Sequence, residues 1–235
     1  PPPECEDFDA LTVNGYVGGQ LGGLWTTWSG APGTPEDALV SDLYSLSPSN
    51  SMLIEGGTDA FQLFAAEDIT SGKWVYSNNI YIPTGKVGYW NLQKTTTAGD
   101  EWGFQIMYED DMTMVIDANG FGAAIVPYVN DVWYHNVFIV DIDNDWAEFY
   151  VDDALIVEYQ WSLGTQGVPG LFSIGGTNYF ANPGTGGTPA GCHFDDICFE
   201  EYVEPEPCEN FDALTVGGLV AEQLGGMWST WSGTS

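Results

Sequence analysis

The sequence predicts an all-β domain, a sandwich of two sheets. Three observations carry that expectation. Apolar and polar residues alternate with period two over many short runs, and no long stretch repeats with period 3.6. Turn signals fall between the runs: Gly56-Gly57, Asp117-Ala118-Asn119-Gly120, Asp143-Asn144-Asp145 and Asp152-Asp153. Aromatic residues make up 14% of the 235-residue chain and hydrophobic residues 44%. That is enough for a large core and unlike a disordered acidic chain.

In chain order the candidate strands are 8–13, 23–28, 51–55, 60–64, 73–82, 87–93, 101–108, 113–116, 123–126, 132–140, 146–151, 155–161, 171–174 and 193–199. Each is a short run rich in aromatic and β-branched residues. Thr34-Pro35-Glu36-Asp37 reads as the cap of one short helix. The first segment, 1–4, is Pro-rich, and 204–207 is a Pro/Glu stretch; both read as stiff linkers.

The charge excludes partners. There are 34 acidic residues against 3 basic ones, a formal net charge of -31. All three cations are lysines, Lys73, Lys86 and Lys94. Nucleic-acid binding needs many phosphate-neutralising cations, and docking to an anionic membrane needs a basic patch. Neither is expected here, and no apolar run reaches the ~20 residues of a membrane span. The lysines cluster in 73–94, where they are expected to meet the acidic surface of a neighbouring copy.

The chain repeats itself. Residues 5–31 and 208–234 align without a gap at an offset of 203, with 19 of 27 positions identical. The expected organisation is a sandwich repeat over 5–203, then the linker, then the first segment of a second repeat, or a docking segment, over 208–235. Twenty-eight residues cannot build a core alone. The expected contacts with a neighbouring unit are Cys208, Phe211, Trp228 and Trp231, with Ala213 and Thr215 along the Phe211 strand.

One pair of runs resembles a known family. Val132-Trp133-Tyr134-His135-Asn136-Val137-Phe138-Ile139-Val140-Asp141, followed by Ala147-Glu148-Phe149-Tyr150-Val151-Asp152-Asp153, is similar to the central hairpin of concanavalin A-like, laminin G-like jelly rolls. Phe194-Asp195-Asp196-Ile197-Cys198 looks like the closing strand of such domains in large bacterial surface proteins. The resemblance covers roughly residues 74–200. It implies a jelly roll of about 12–14 strands whose first and last strands pair. Its members include lectins, glycan-binding modules, adhesion domains and some glycoside hydrolases, among which fold alone does not choose.

The cysteines are Cys5, Cys192, Cys198 and Cys208. In an exported chain they are disulfide candidates. Cys192 and Cys198 stand six residues apart, ~20 Å along a straight strand, too far to bond each other. Pairing of first and last strands, which the resemblance implies, favours Cys5 with Cys198 or Cys192. Cys208 then bridges to the remaining cysteine or to a neighbour.

Asp141, Asp143 and Asp145 alternate at a hairpin tip and are candidate ligands for calcium, which takes six to eight oxygens. They are not an EF-hand, because Trp146 occupies the glycine position and Asp152 the glutamate position. No cofactor is required. Asp195 and Asp196 form a second acidic pair, of which one faces inward by alternation and needs a partner.

No strand reads Glu-x-Asp-x-x-Glu, the pattern of retaining glycosidases of this fold, and no nucleophile–histidine pair stands out. The sequence therefore reads as a non-enzyme. Trp25 and Trp28 stand three apart and point to opposite sheet faces, one into the core and one outward. An outward Trp can stack on sugar. The expected function is an extracellular structural or adhesive protein that forms a surface filament by head-to-tail packing of sandwich units. The alternative is a carbohydrate-binding, lectin-like module that takes surface glycans.

Overall fold

The computed structural model describes residues 5–204, and beyond them Val216 alone. A compact unit runs to Tyr202. Its elements are α1 (Val17–Leu21), β1 (Trp25–Thr27), β2 (Leu39–Ser41), β3 (Ser51–Glu55), β4 (Asp59–Leu63), β5 (Lys73–Tyr81), β6 (Gly88–Gln93), β7 (Trp102–Tyr108), β8 (Thr113–Asp117), β9 (Ala124–Pro127), β10 (Trp133–Asp141), β11 (Trp146–Val151), β12 (Ala154–Tyr159), a 3-10 segment (Trp161–Gln166), β13 (Gly176–Phe180) and β14 (Gly191–Glu201). They form two antiparallel seven-stranded sheets. The first has the order β1-β4-β13-β6-β7-β8-β9, the second β12-β11-β10-β5-β14-β3-β2. The chain is an all-β sandwich, as its periodicity predicts.

The hairpin β10–β11 pairs Asp141 with Trp146 and Asn136 with Val151, so the tip is Ile142–Asp145. The next turn places Asp152 and Asp153 at φ 47° and 65°. Two consecutive left-handed residues make the tight turn that matches strand twist.

Three expected elements differ. Residues 8–13 are not a strand: Phe8 has φ 59° and anchors a turn closed by the Leu11 amide on the Phe8 carbonyl. No helix forms at 34–37, and Asp37 instead accepts the amides of Gly18, Gly19 and Gly33. Residues 171–174 make only a bridge, Ile69 to Ile174. β2 and β13 take the places of the strands lost. First and last strands do not pair, since β1 and β14 lie in different sheets; the chain start reaches β14 only through a Glu6–Ile197 bridge.

Between the sheets lies an aromatic core. Trp90, Phe104, Phe138 and Phe149 are wholly buried, and the Phe104 ring lies 5.2, 4.9 and 4.7 Å from the other three. Full burial of one such side chain is worth about 1.5–3 kcal/mol. Phe8, Val17 and Trp25 join the same core, so the repeated segment is an integral part of the sandwich that contains it.

A bulge in β14 decides the cysteine pairing. Before it Cys192 and Phe194 face the core; the register shifts between Asp195 and Cys198, and Ile197 is then the buried residue. Cys198 therefore turns away from the core and bonds Cys5, with Cα atoms 4.3 Å apart. Cys192 is an unbonded, buried thiol, which corrects its candidacy for a disulfide. Burial pushes its pKa up to about 12. Cys208 lies outside the described residues.

The lysines are not one surface patch. Lys94 is fully buried and pairs with Glu101 at 2.7 Å, while burial draws its pKa down against that pairing. Lys73 sits 3.9 Å over the Tyr202 ring.

Candidate functional site

The outer face of the first sheet is lined by amides. β6 sends Trp90 and Leu92 into the core, so Tyr89, Asn91 and Gln93 project to the other side. β13 sends Thr177 and Tyr179 inward and Asn178 outward, and Asn178 lies beside Asn91 in the ladder. Gln105 of β7 and Asp117 of β8 are paired neighbours on the same face.

These groups form one hydrogen-bonded chain across five strands. Asn178 donates to Asp59 at 2.7 Å. Asn91 donates to Asn178 at 3.0 Å and to the Tyr89 hydroxyl at 2.9 Å. The Tyr89 hydroxyl donates to Gln105 at 2.9 Å, and Gln105 donates to Asp117 at 2.5 Å. Gln93 donates to Asn91 at 2.7 Å. Each side chain is fixed by its neighbour, so the face is preorganised. Hydrophobic positions would be expected on a face packed against protein, charged ones on a face left to water. This face instead carries buried amides, with an acid at each end of the relay and aromatic rings beside it.

Two aromatic pairs flank the amides. Trp28 and Trp102 stack with centroids 6.0 Å apart and 29° between planes. Trp28 follows β1 and Trp102 opens β7, strands four places apart in the sheet, ~19 Å at ~4.8 Å per strand. The indoles therefore reach towards each other across the sheet. Gly99 makes room for this: at φ 81°, a Cβ there would lie 2.6 Å from Cζ2 of Trp28. Phe180 meets Tyr89 edge to face at 6.2 Å. Trp28, Trp102, Tyr89, Phe180, Asn91 and Asn178, with Asp59, enclose a depression of about 210 Å³.

Burial tunes the acids of this face. The Asp59 carboxyl is raised to about 6, chiefly by desolvation and in part by the charge of Glu36, against the Asn178 hydrogen bond. Tyr89 is pushed well above the ordinary phenol range by burial. Asp59 and Asp117 stand at opposite ends of the relay, four strand spacings or ~19 Å apart.

The structure does not bring Asp141, Asp143 and Asp145 together. Asp141 caps its own turn through the backbone amide and side chain of Asn144, each at 2.9 Å. Asp145 accepts the amide and hydroxyl of Ser162 at 2.7 and 2.8 Å. Among the described residues no cluster of three acidic, His or Cys side chains is placed to hold a metal. Asp195 is buried, but on the outer face of its sheet beneath the 42–50 loop, where it accepts the Leu46 and Ser47 amides at 2.7 and 3.2 Å. Those amides are its partner, and Asp196 sits at the bulge with φ 47°. Trp25 is core and Trp28 is on the outer face, as their spacing predicts. Ser51 and His193 touch at 3.0 Å, but the Ser51 hydroxyl also meets the Tyr44 carbonyl and both residues are buried. Residues Cys208, Phe211, Ala213, Thr215, Trp228 and Trp231, expected to join neighbouring units, lie outside the described residues, and nothing among those described supports a filament.

No family model and no curated protein matches the chain. Solved structures match in fold. The alginate lyase Aly36B aligns with 86% of this chain and 98% of its own at 9% identity and a TM-score of 0.55. The cellulose-induced protein Cip1 aligns with 70% of this chain and 85% of its own at 15% identity and a TM-score of 0.52. Carbohydrate-binding module CBM66 from Bacillus subtilis covers 76% of this chain at 14% identity, with a TM-score of 0.43. A sialidase aligns with 81% of this chain at 9% identity and a TM-score of 0.49, and the chain spans 19% of its length. At these identities the likeness is one of fold alone, a jelly-roll β-sandwich. The expectation of a non-enzyme is overturned at this point. An alginate lyase has the same sandwich over nearly its whole length, so a missing glycosidase motif does not argue against catalysis.

Proposed function

We propose that the chain is a carbohydrate-binding domain of a secreted, glycan-active protein, and that the outer face of the first sheet is its sugar site. One observation carries the reading: a depression on the outer face of the first sheet, enclosed by two aromatic pairs and floored by a fixed relay of buried amides. Sugars offer hydroxyls that both donate and accept, and C–H faces that pack on aromatic rings. The half-exposed Asp59 carboxyl, held by the buried Asn178 amide, answers the first, and Trp28, Trp102, Phe180 and Tyr89 the second. The glycan is neutral: among the described residues no cation lines the depression, and a net charge of -31 opposes uronates and sialic acids.

The Cys5–Cys198 bridge supports secretion, since such bonds persist in oxidising compartments. Kinship with concanavalin A-like, laminin G-like jelly rolls belongs to the same proposal, supported by the β10–β11 hairpin and the β14 strand. Asp59 favours a second reading, bond cleavage on the same face. A carboxyl poised near 6 beside a protonated phenol can exchange protons at neutral pH. Asp59 and Asp117 do not make a hydrolytic pair, because they are ~19 Å apart where ~5–10 Å is needed.

A glycan array with neutral and anionic oligosaccharides tests the reading, with released reducing ends and unsaturated products measured alongside. Neutral ligands should bind, and Trp102→Ala should weaken them by about 30-fold, the ~2 kcal/mol of a buried aromatic anchor. Binding unchanged in Trp102→Ala, or no binding to any glycan, would refute the site.

A further inference from the structure

A second depression lies against the first. It has a volume of about 220 Å³ and is lined by Asp100, Glu101, Trp102 and the chain from Leu163 to Gly170. Trp102 lines both. Resting on the reading of the outer face as a sugar site, we propose that the ligand is a linear neutral oligosaccharide that crosses Trp102, with separate stretches of the chain in the two depressions. Each space alone falls below the roughly 300 Å³ of ordinary ligand pockets, and together they exceed it.

The second depression is built and not incidental. Glu101 is held at one end by Lys94 at 2.7 Å and by the Leu171 amide at 3.0 Å. Lys94 is itself fixed on the Ser162 carbonyl at 2.8 Å. The Glu101 side chain keeps 29% of its surface exposed, so a compensated, oriented carboxylate remains open to accept hydroxyls. Gly164 lets the opposite wall approach: at φ 56°, a Cβ there would fall 2.6 Å from the Trp102 carbonyl. Asp100 and Gln166 are exposed at the rim and supply further polar groups. The arrangement makes the domain a reader of chain interiors, because a short ligand could fill only one of the two depressions.

Two sites joined in one ligand reinforce each other, so affinity should rise steeply with length. Calorimetry on the full chain tests this with cello-, xylo-, manno- and laminari-oligosaccharides, each as disaccharide and hexasaccharide. The hexasaccharide of whichever series binds should exceed its disaccharide by tenfold or more. The double variant Asp100→Ala/Gln166→Ala should remove that gain and leave disaccharide affinity unchanged. Both substituted side chains are exposed, and an unaltered melting temperature checks the fold. Equal affinity for the two lengths overturns the proposal while sparing the first site, as does a hexasaccharide affinity unmoved by the double variant. No binding at any length overturns both.

Discussion

Removing the Cys5–Cys198 bridge should cost this domain several kilocalories per mole. The bridge closes a loop of 193 residues. In the chain-entropy description such a loop restricts the unfolded state by about 18 cal/mol/K, or about 5 kcal/mol at 25 °C. Unfolding a domain of this size carries an entropy of about 0.4 kcal/mol/K. The bridge therefore corresponds to about 12 °C of melting temperature, with about 5 °C as the floor set by the ~2 kcal/mol at the low end for native bridges. The assay is thermal unfolding of wild type and of Cys5→Ser/Cys198→Ser, each with and without reductant. Reductant should lower the wild type to the level of the variant and leave the variant where it is. A variant melting within about 2 °C of wild type would refute the reasoning, because Phe8, Val17 and Trp25 would then not need the tether that carries them into the core.

Three further outcomes are expected. Gly99→Ala places a Cβ against Trp28 at a left-handed φ; it should destabilise by about 1–3 kcal/mol and alter the near-ultraviolet signal of the indole pair. Asp59 has a folded-state pKa raised from 3.8 to about 6, so its stabilising contribution is complete below 3.8 and is lost as pH rises through 6. His193, lowered to about 4 by burial, acts in the opposite sense, contributing above 6.5 and losing its contribution as pH falls through 4. The comparison must therefore be between proteins: melting temperature between pH 4 and 7.5 should be less pH-dependent on the Asp59 side in Asp59→Asn, and identical profiles would contradict the burial of that carboxyl. Cys192, with its thiol pushed up to about 12, should resist iodoacetamide in the native state and react after unfolding, read by mass mapping of its peptide.

The fold was legible where alternation is strong and the turn chemistry sharp, as in β10–β11, where aromatic and β-branched residues repeat every second position up to an Asp-rich tip. It was not legible at β13, where Thr177, Asn178 and the flanking glycines read as loop by composition. Only pairing between β4 and β6 makes that segment a strand. Phe8 to Val13 alternates like a strand, but a residue with φ 59° folds it under the core. α1 contains two glycines, which oppose helix formation; the three amide contacts from Asp37 near it are tertiary and invisible in the sequence. The site had one readable signal. In Tyr89-Trp90-Asn91-Leu92-Gln93 the polar partners of the alternation are amides and a phenol, not charges. What joins them to Asn178, Gln105 and Trp28 is strand order, which no local pattern states.

The placement of the bridge also governs how the domain takes tension. Cys5 and Cys198 lie near the two ends of the folded unit, with Cα atoms 4.3 Å apart. A pull applied to the chain on either side enters at one sulfur and leaves at the other. The residues between are outside that path, so both hydrogen-bonded sheets, and the amide relay they align, stay unstretched while the covalent bond takes the force. A domain clipped in this way lengthens very little under drag and keeps its outer face in register when its chain is taut.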